Sequence, residues 1–329
     1  MTETVDAGYG ALHGEAVWVD RTTRDARLEV GGPDAAEWLQ GLLTQDVRSL
    51  QPGQGAYAAY LTPQGRMIAD LRVFHRGETF LLETAAAVRG TLASRLDQFV
   101  IMEDVTIADV TDMLGCLTVI GPTAAASVAA CTGVAIAALN ALPEHGHLPL
   151  ERPGAFLAAS RDFGVPAFDL FAPLADLSAW RTLLQSGLPE ASDRLLETAR
   201  IEAGRPRFGV DMHEDTIPLE AGIEHRAISF DKGCYVGQEV VIRILHRGQG
   251  RVARRLVWVE HAPYGSDLPG WHAGDPVHAG EKAVGTLSSA CWSPARGGLL
   301  GIAMLHRDVT DPGTVVRIGA HDAIVCKLP

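Results

Sequence analysis

Several features that define large classes of protein are missing from this sequence of 329 residues. It has no run of about 18 strongly apolar residues, so we expect no membrane-spanning helix. The first ten residues are acidic and lack an apolar core, which argues against a signal peptide. Basic residues are outnumbered, 28 to 40, and the net charge of −12 disfavours binding to DNA or to an anionic membrane.

Cysteine pairs are also missing. The five cysteines are odd in number and widely scattered, and no C-x-x-C occurs. This pattern predicts free thiols in a reducing cytoplasm, with neither a disulfide framework nor a tightly bound metal. His145 and His147 have a spacing that could bind a metal, but a surface loop is the simpler interpretation.

What remains is ordinary globular composition, 47% hydrophobic and 21% charged, in a chain long enough for two or three compact units. The hydrophobic pattern predicts the same order of elements in residues 1–112 and in residues 113–247: a strand, a helix, further strands and a second helix. We therefore predict two related α+β units, each a mixed sheet with helices on one face. From 248 to 329, short strands separated by Gly and Pro predict a small antiparallel barrel or sandwich.

The segment from Asp231 to Glu239 is the densest in reactive side chains. It places Cys234 in a turn that we expect just before a helix. A helix N-terminus and the nearby ammonium of Lys232 both favour a thiolate, so Cys234 could be reactive. A buried structural cysteine in a tight loop is the alternative.

Five arginines follow this segment within thirteen residues that contain no acidic residue: Arg243, Arg247, Arg251, Arg254 and Arg255. In an acidic protein this local positive charge could hold carboxylates or phosphates. A solvated connection between domains is an equally good interpretation.

The stretch from Lys232 to Glu239, K-G-C-Y-V-G-Q-E, resembles the signature of the YgfZ family of folate-binding proteins. That family includes mitochondrial iron–sulfur assembly factors and is related to the aminomethyltransferase (T-protein) of the glycine cleavage system. Further matching segments lie in the expected order at 40–47, 61–67, 200–209, 217–222 and 288–294. The resemblance implies a ring-like, three-part fold with a C-terminal β-barrel and a site for tetrahydrofolate or a derivative.

The same resemblance implies the residues of the site. Cys234 would be the functional thiol, with Lys232 as its electrostatic neighbour. Asp70 would lie at the rim of the folate pocket. The other residues expected to shape or support the pocket are Arg200, Glu202, Tyr235, Gly237, Gln238, Glu239 and Arg243.

Two departures from the aminomethyltransferases bear on activity. Their catalytic aspartate aligns with Ala69, so that only the following aspartate is kept, as Asp70, and a pterin-binding glutamate aligns with Val165. The resulting expectation is a monomeric, non-enzymatic accessory protein that binds folate and serves iron–sulfur clients such as tRNA-modifying enzymes. The alternatives are a tetrahydrofolate-dependent aminomethyltransferase or demethylase, and a thiol-redox enzyme that uses Cys234.

Overall fold

The computed structural model describes residues 6, 8–246, 250–261 and 270–329. The chain divides into two compact units. The sheet unit consists of Ala7–Ser192 and His225–Gln238, and the barrel unit is formed mainly by Asp193–Glu224 and Glu239–Pro329. The boundary expected at 247/248 lies outside the described residues, and the division into three domains stays a prediction.

The elements are numbered in chain order. The helices are α1 Tyr9–Gly14, α2 Ala35–Leu42, α3 Arg89–Asp97, α4 Ala124–Thr132, α5 Ile136–Asn140, α6 Leu174–Gly187, α7 Asp193–Glu202, α8 Pro218–Ala221, α9 Glu224–Ala227 and α10 Gln238–His246. The strands are β1 Val17–Asp20, β2 Asp25–Gly31, β3 Gly55–Leu61, β4 Met67–His75, β5 Thr79–Ala85, β6 Thr106–Asp109, β7 Leu114–Ile120, β8 His147–Pro149, β9 Phe156–Ser160, β10 Ala167–Pro173, β11 Arg254–His261, β12 Pro276–Ala279, β13 Lys282–Ser293, β14 Gly298–His306, β15 Val315–Ile318 and β16 His321–Cys326.

The sheet unit contains two five-stranded sheets, in the orders β3-β4-β5-β2-β6 and β1-β7-β10-β9-β8. The first strand of the chain, β1, pairs with β7 of the second sheet, so the two sheets do not follow the sequence halves strictly. Apolar side chains of α2 and α3 cover the outer face of the first sheet, and those of α4, α5 and α6 cover the second. A third apolar cluster, which includes Phe74, Phe156 and Phe171, joins the inner faces. The result is a four-layered arrangement of helices, sheet, sheet and helices.

A buried ionic network accompanies the apolar contacts between these sheets. The Arg72 guanidinium donates to Glu83 of the first sheet and to Asp169 of the second, the latter at 2.5 Å. Arg27 donates to Glu83 at 3.0 Å, and Thr118 donates to Asp169 at 2.5 Å. Because each buried carboxylate has at least two donors, the charges are compensated, and removal of one partner would leave an unpaired buried charge.

In the barrel unit, six antiparallel strands close in the order β11-β14-β13-β12-β15-β16. The predicted fold, α+β sheets with helices followed by a C-terminal antiparallel β-barrel, is therefore confirmed. Among the helices that the structure describes, none is long and apolar enough to cross a membrane.

Candidate functional site

Polar side chains from five segments of the sheet unit meet on the inner face of the first sheet. Tyr57 comes from β3, Asp70 from β4, Glu144 from the loop before β8, Asp162 from the turn after β9, and Arg226 from α9. We call these five residues the carboxylate cluster.

Asp70 is the titratable centre of this cluster. The Tyr57 hydroxyl donates to Asp70 Oδ2 at 2.8 Å. The two side chains are diagonal neighbours because Tyr57 lies opposite Arg72, and Ala59 lies opposite Asp70. Burial raises the pKa of Asp70 to about 6, against the opposing effect of the Tyr57 hydrogen bond. A carboxyl group with a pKa near neutrality is suited to general acid–base chemistry.

Arg226 joins the remaining members of the cluster. Its guanidinium lies over the Tyr57 ring, 4.8 Å from the centroid, and bonds Glu144 Oε1 at 2.8 Å and Asp162 Oδ1 at 3.3 Å. Although burial opposes ionisation, Arg72 and Arg226 hold the pKa of Asp162 well below its usual range. The cluster thus holds one firmly ionised carboxylate near a second that titrates close to neutrality, a pattern typical of acid–base sites.

The segment 40–47, part of the resemblance, fixes the position of Arg226. Gln45 Nε2 donates to the backbone oxygen of Arg226 at 3.0 Å, and Thr44 Oγ1 donates to that of Ala227 at 2.5 Å. The same Thr44 hydroxyl accepts from the backbone nitrogen of Ala59 on β3 at 2.8 Å. Arg226 is therefore tied to the sheet that carries Asp70.

Ala69, by contrast, faces away from the cluster. Its side chain is fully buried and belongs to the apolar cluster that includes Trp38 and Leu39 of α2. Successive residues of a strand point to opposite faces, so Asp70 faces the cluster, and position 69 faces the core. The absence of an aspartate at position 69 therefore removes no group from the site.

Lys232 anchors the octapeptide Lys232–Glu239 to the end of α2. Its ammonium donates to the backbone oxygens of Gln40, Leu43 and Gln45 at 2.7, 2.6 and 2.9 Å. Burial lowers the pKa of Lys232 to about 8, so the side chain is still protonated at neutral pH. Its ammonium also lies 5.0 Å from the ring centroid of Tyr235. These contacts give Lys232 and Tyr235 a structural role in holding the loop.

Gly237 locks the other end of this loop onto the turn between β3 and β4. Its φ is +85°, and a Cβ atom there would lie 2.5 Å from the backbone oxygen of Thr62. Only glycine combines that backbone conformation with such a close approach. Through Lys232 and Gly237, the octapeptide braces the hairpin that carries Asp70.

The other predicted residues of this region lie around the start of α10. Cys234 is exposed and precedes the helix, which begins at Gln238. Gln238 is half-buried, whereas Glu239 and Arg243 are exposed. The catalytic role of Cys234 stays a prediction that no contact in the described residues supports.

The contacts described for Arg200 and Glu202 lie within the barrel unit. Arg200 bonds Asp211 at 2.7 Å and Ser289 at 2.6 Å, and Glu202 accepts from the Ser293 hydroxyl. Both residues fasten α7 to β13. Their expected part in a folate pocket stays a prediction.

Four cluster residues were not predicted as site residues from the sequence: Tyr57, Glu144, Asp162 and Arg226. Of these, only Tyr57 had a usable signal, because an aromatic residue in a strand facing Asp70 across a predicted hairpin can share its face. Among the described residues, no group of three or more His, Cys, Asp or Glu side chains could hold a metal ion.

The Lys232 contacts predict different effects for the two proposed catalytic residues. Lys232→Ala should lower the free energy of unfolding by about 2–4 kcal/mol, because it leaves three backbone oxygens without their charged donor. Cys234→Ser, at an exposed position, should change it by less than about 0.5 kcal/mol. Urea unfolding followed by circular dichroism measures both; equal effects would contradict the anchoring role.

The raised pKa of Asp70 predicts a pH-dependent stability difference. The folded protein binds this proton more tightly than the unfolded chain does, where an aspartate pKa is about 3.9. Stability therefore falls as pH rises through the window from about 4 to about 6. Asp70→Asn has no carboxyl group at this position and does not lose stability as the pH rises. The stability of Asp70→Asn relative to the wild type should therefore increase by about 1–3 kcal/mol from about pH 4.5 to about pH 8. A difference that does not vary with pH in urea unfolding would contradict the assignment.

Comparison with known proteins identifies the fold made of the four-layered sheet unit and the closed barrel. The GCVT N-terminal domain matches residues 1–232, and the glycine cleavage T-protein C-terminal barrel domain matches residues 254–329. The chain therefore belongs to the glycine cleavage T-protein family.

Curated relatives agree with this membership, and a solved structure shares the fold. An aminomethyltransferase of Rubrobacter xylanophilus is 32% identical over 87% of this chain and 75% of its own length. One from Bacillus subtilis is 26% identical over 91% of this chain and 82% of its own length. The crystal structure of glycine cleavage system aminomethyltransferase T from Bartonella henselae has a TM-score of 0.86 at 21% identity and covers 98% of this chain and 88% of that one.

These findings correct the main functional expectation. A non-enzymatic accessory protein for iron–sulfur enzymes is wrong, because the relatives are aminomethyltransferases over most of the chain. Iron–sulfur clients and tRNA modification have no support among them. The comparisons support the resemblance at the level of the T-protein family and give no support for the YgfZ-type assignment. The incorrect expectation rested on the absence of an aspartate at position 69. Strand β4 directs that position into the apolar core.

Proposed function

We propose that this protein is a tetrahydrofolate-dependent one-carbon transferase of the aminomethyltransferase type, with the carboxylate cluster as its active site. One observation carries the proposal: Asp70, with a pKa raised to about 6, is held by Tyr57 beside the ionised pair of Arg226 and Asp162. The five free cysteines favour a cytoplasmic setting.

The side chains of the cluster fit a reduced folate. The pterin ring presents adjacent N–H donors along one edge, and the carboxylates of Asp70 and Asp162 accept such hydrogen bonds. The cluster lies beside a further buried polar atom, Nδ1 of His145, that has no hydrogen-bond partner among the described residues. Unpaired buried polar atoms are rare in native proteins.

Each residue has a task in this proposal. When one folate nitrogen bonds to the transferred methylene carbon, Asp70 accepts the proton of that nitrogen and passes it to the amino group, which leaves as ammonia as its bond to the carbon breaks; the pKa near neutrality permits both transfers. The second folate nitrogen then displaces the rest of the donor from the same carbon, and the donor leaves with the proton of that nitrogen. Asp162 stays ionised and accepts hydrogen bonds from the pterin edge. Tyr57 orients the Asp70 carboxyl group, and Arg226 holds Asp162 in place.

Calorimetric titration with tetrahydrofolate tests the binding part of the proposal. We expect saturable binding by the wild type and a roughly 10–100-fold weaker affinity in Asp162→Asn, since a charge-assisted hydrogen bond contributes about 1.5–3 kcal/mol. Asp112→Asn is a matched control because Asp112 is an exposed carboxylate paired with Arg89. No saturable binding by the wild type, or equal affinity in the two variants, would contradict the assignment.

A further inference from the structure

Helix α9, which carries Arg226, is capped by side chains from a distant segment of the chain. The helix is a single turn of four residues, and the last carbonyl groups of a helix have no partners within it. Gln45 Nε2 donates to the backbone oxygen of Arg226 at 3.0 Å, and Thr44 Oγ1 donates to that of Ala227 at 2.5 Å. Two neighbouring side chains therefore satisfy the end of α9.

The amide of Gln45 is itself held in one orientation. Its Oε1 accepts from the backbone nitrogen of Asp46 at 3.1 Å, which leaves Nε2 as the atom that faces the Arg226 oxygen. The backbone oxygen of Gln45 accepts from the Lys232 ammonium at 2.9 Å. A side chain whose conformation is fixed by such contacts can hold a second residue in a defined place.

The position of α9 decides where the charge of Arg226 lies. The guanidinium lies over the Tyr57 ring, 4.8 Å from the centroid, and bonds Asp162 Oδ1 at 3.3 Å. Its positive charge favours the ionised forms of both Asp70 and Asp162. The side chain is only 14% exposed, so water screens this charge weakly. A shift of α9 therefore changes the charge beside the residue that takes up the proton.

We propose that Gln45 is a positioning residue of the transfer reaction and holds the charge of Arg226 beside Asp70 by capping α9. This role rests on the proposed function. The Thr44 hydroxyl caps the adjacent carbonyl group and also accepts from the backbone nitrogen of Ala59, so α9 stays attached to the sheet when the Gln45 amide is removed. Loss of the amide then changes where Arg226 lies and leaves the segment folded.

Steady-state kinetics of Gln45→Met measures the effect of the amide. Methionine has a similar length and no hydrogen-bond donor that could cap the helix. We expect kcat/KM for aminomethyl transfer to fall about 3–10-fold, which is the size of effect that loss of one hydrogen bond produces.

The pH profile of kcat/KM separates positioning from a purely structural role. Asp70 titrates near pH 6, and Arg226 is one of the charges that lower its pKa. A displaced Arg226 should therefore move the acid limb of the profile upward by about half a pH unit or more in Gln45→Met. A variant that only loosens the fold would lower kcat/KM by the same factor at each pH.

The neighbouring titratable groups do not produce this limb. His145 and His147, which were expected in a surface loop, are 5% and 4% exposed. Burial lowers the pKa of His145 to about 4, and Asp162 is ionised well below its usual range. Burial also raises the pKa of Tyr57 well above its usual value. Asp70 is therefore the member of the cluster whose titration the acid limb reports.

A double-mutant cycle tests whether Gln45 acts through Arg226. In an Arg226→Met background the charge that Gln45 positions is gone, so Gln45→Met should lower kcat/KM by less than about twofold further. Gln54→Met is the matched control, because Gln54 is an exposed amide of the same sheet unit whose Oε1 accepts from the backbone nitrogen of Gln51 at 2.9 Å. This control should keep the wild-type rate and pH profile.

Three results would overturn the positioning role and leave the proposed function standing: a Gln45→Met protein with the wild-type kcat/KM, an acid limb that does not move, or the same loss with and without Arg226. If the wild type transfers no aminomethyl group at all, the proposed function and the role of Gln45 are both overturned.

Discussion

Asp70→Asn should reduce the rate of aminomethyl transfer by about 10²–10³-fold, since general acid–base catalysis contributes factors of this size. Asparagine matches aspartate in shape and can still accept the Tyr57 hydroxyl hydrogen bond, but it cannot take up a proton. The effect should appear in kcat, with the KM for tetrahydrofolate changed by less than about tenfold. Steady-state kinetics of ammonia release measures both constants.

Two controls separate this effect from loss of structure. Asp70→Asn should be at least as stable as the wild type at about pH 8, because it removes a buried charge. Asp112→Asn changes an exposed carboxylate of the same sheet unit and should keep full activity. A rate for Asp70→Asn within tenfold of the wild type would exclude Asp70 as the proton acceptor.

Ala69→Asp should destabilise the protein by about 3 kcal/mol or more and should add no activity. The new carboxylate would lie in an apolar cluster with Trp38 and Leu39, where burial of an unpaired charge and the added volume are both unfavourable. Ala69→Ser, which is smaller and uncharged, should lose less stability. Urea unfolding measures both variants.

An Ala69→Asp protein as stable as the wild type would contradict the orientation of β4. It would mean that residue 69, and not Asp70, faces the site. A gain in transfer rate in that variant would support the same conclusion. Position 69 would then be the catalytic position, as its alignment with the catalytic aspartate of the aminomethyltransferases suggested.

Much of the fold could be predicted because its signals are local. Hydrophobic periodicity and turn residues indicated the sheets, their helices and the barrel. The direction of Asp70 was also available from the sequence: Asp70 and Arg72 alternate with the apolar residues Ala69, Leu71 and Val73, which is the pattern of a strand with one polar face. We gave more weight to the alignment of the catalytic aspartate with Ala69 than to this alternation, and therefore predicted a protein without enzymatic activity.

The rest of the site depends on contacts between distant parts of the chain. Arg226 reaches Asp162 across 64 positions and Glu144 across 82, and no local pattern encodes such pairs. Lys232 was expected to act on the neighbouring thiol because the two are close in sequence. Its three hydrogen bonds to backbone oxygens of the segment 40–45, nearly 190 positions away, are contacts that only the folded structure shows.

Turnover of an aminomethyl donor by the purified protein tests the central claim most directly. The assay follows ammonia release and methylene-tetrahydrofolate formation together, with and without tetrahydrofolate. The proposed function predicts that both products form at equal rates, that both rates saturate with tetrahydrofolate, and that neither product appears without it. Product formation no faster than the uncatalysed background, or ammonia release that does not depend on tetrahydrofolate, would contradict it.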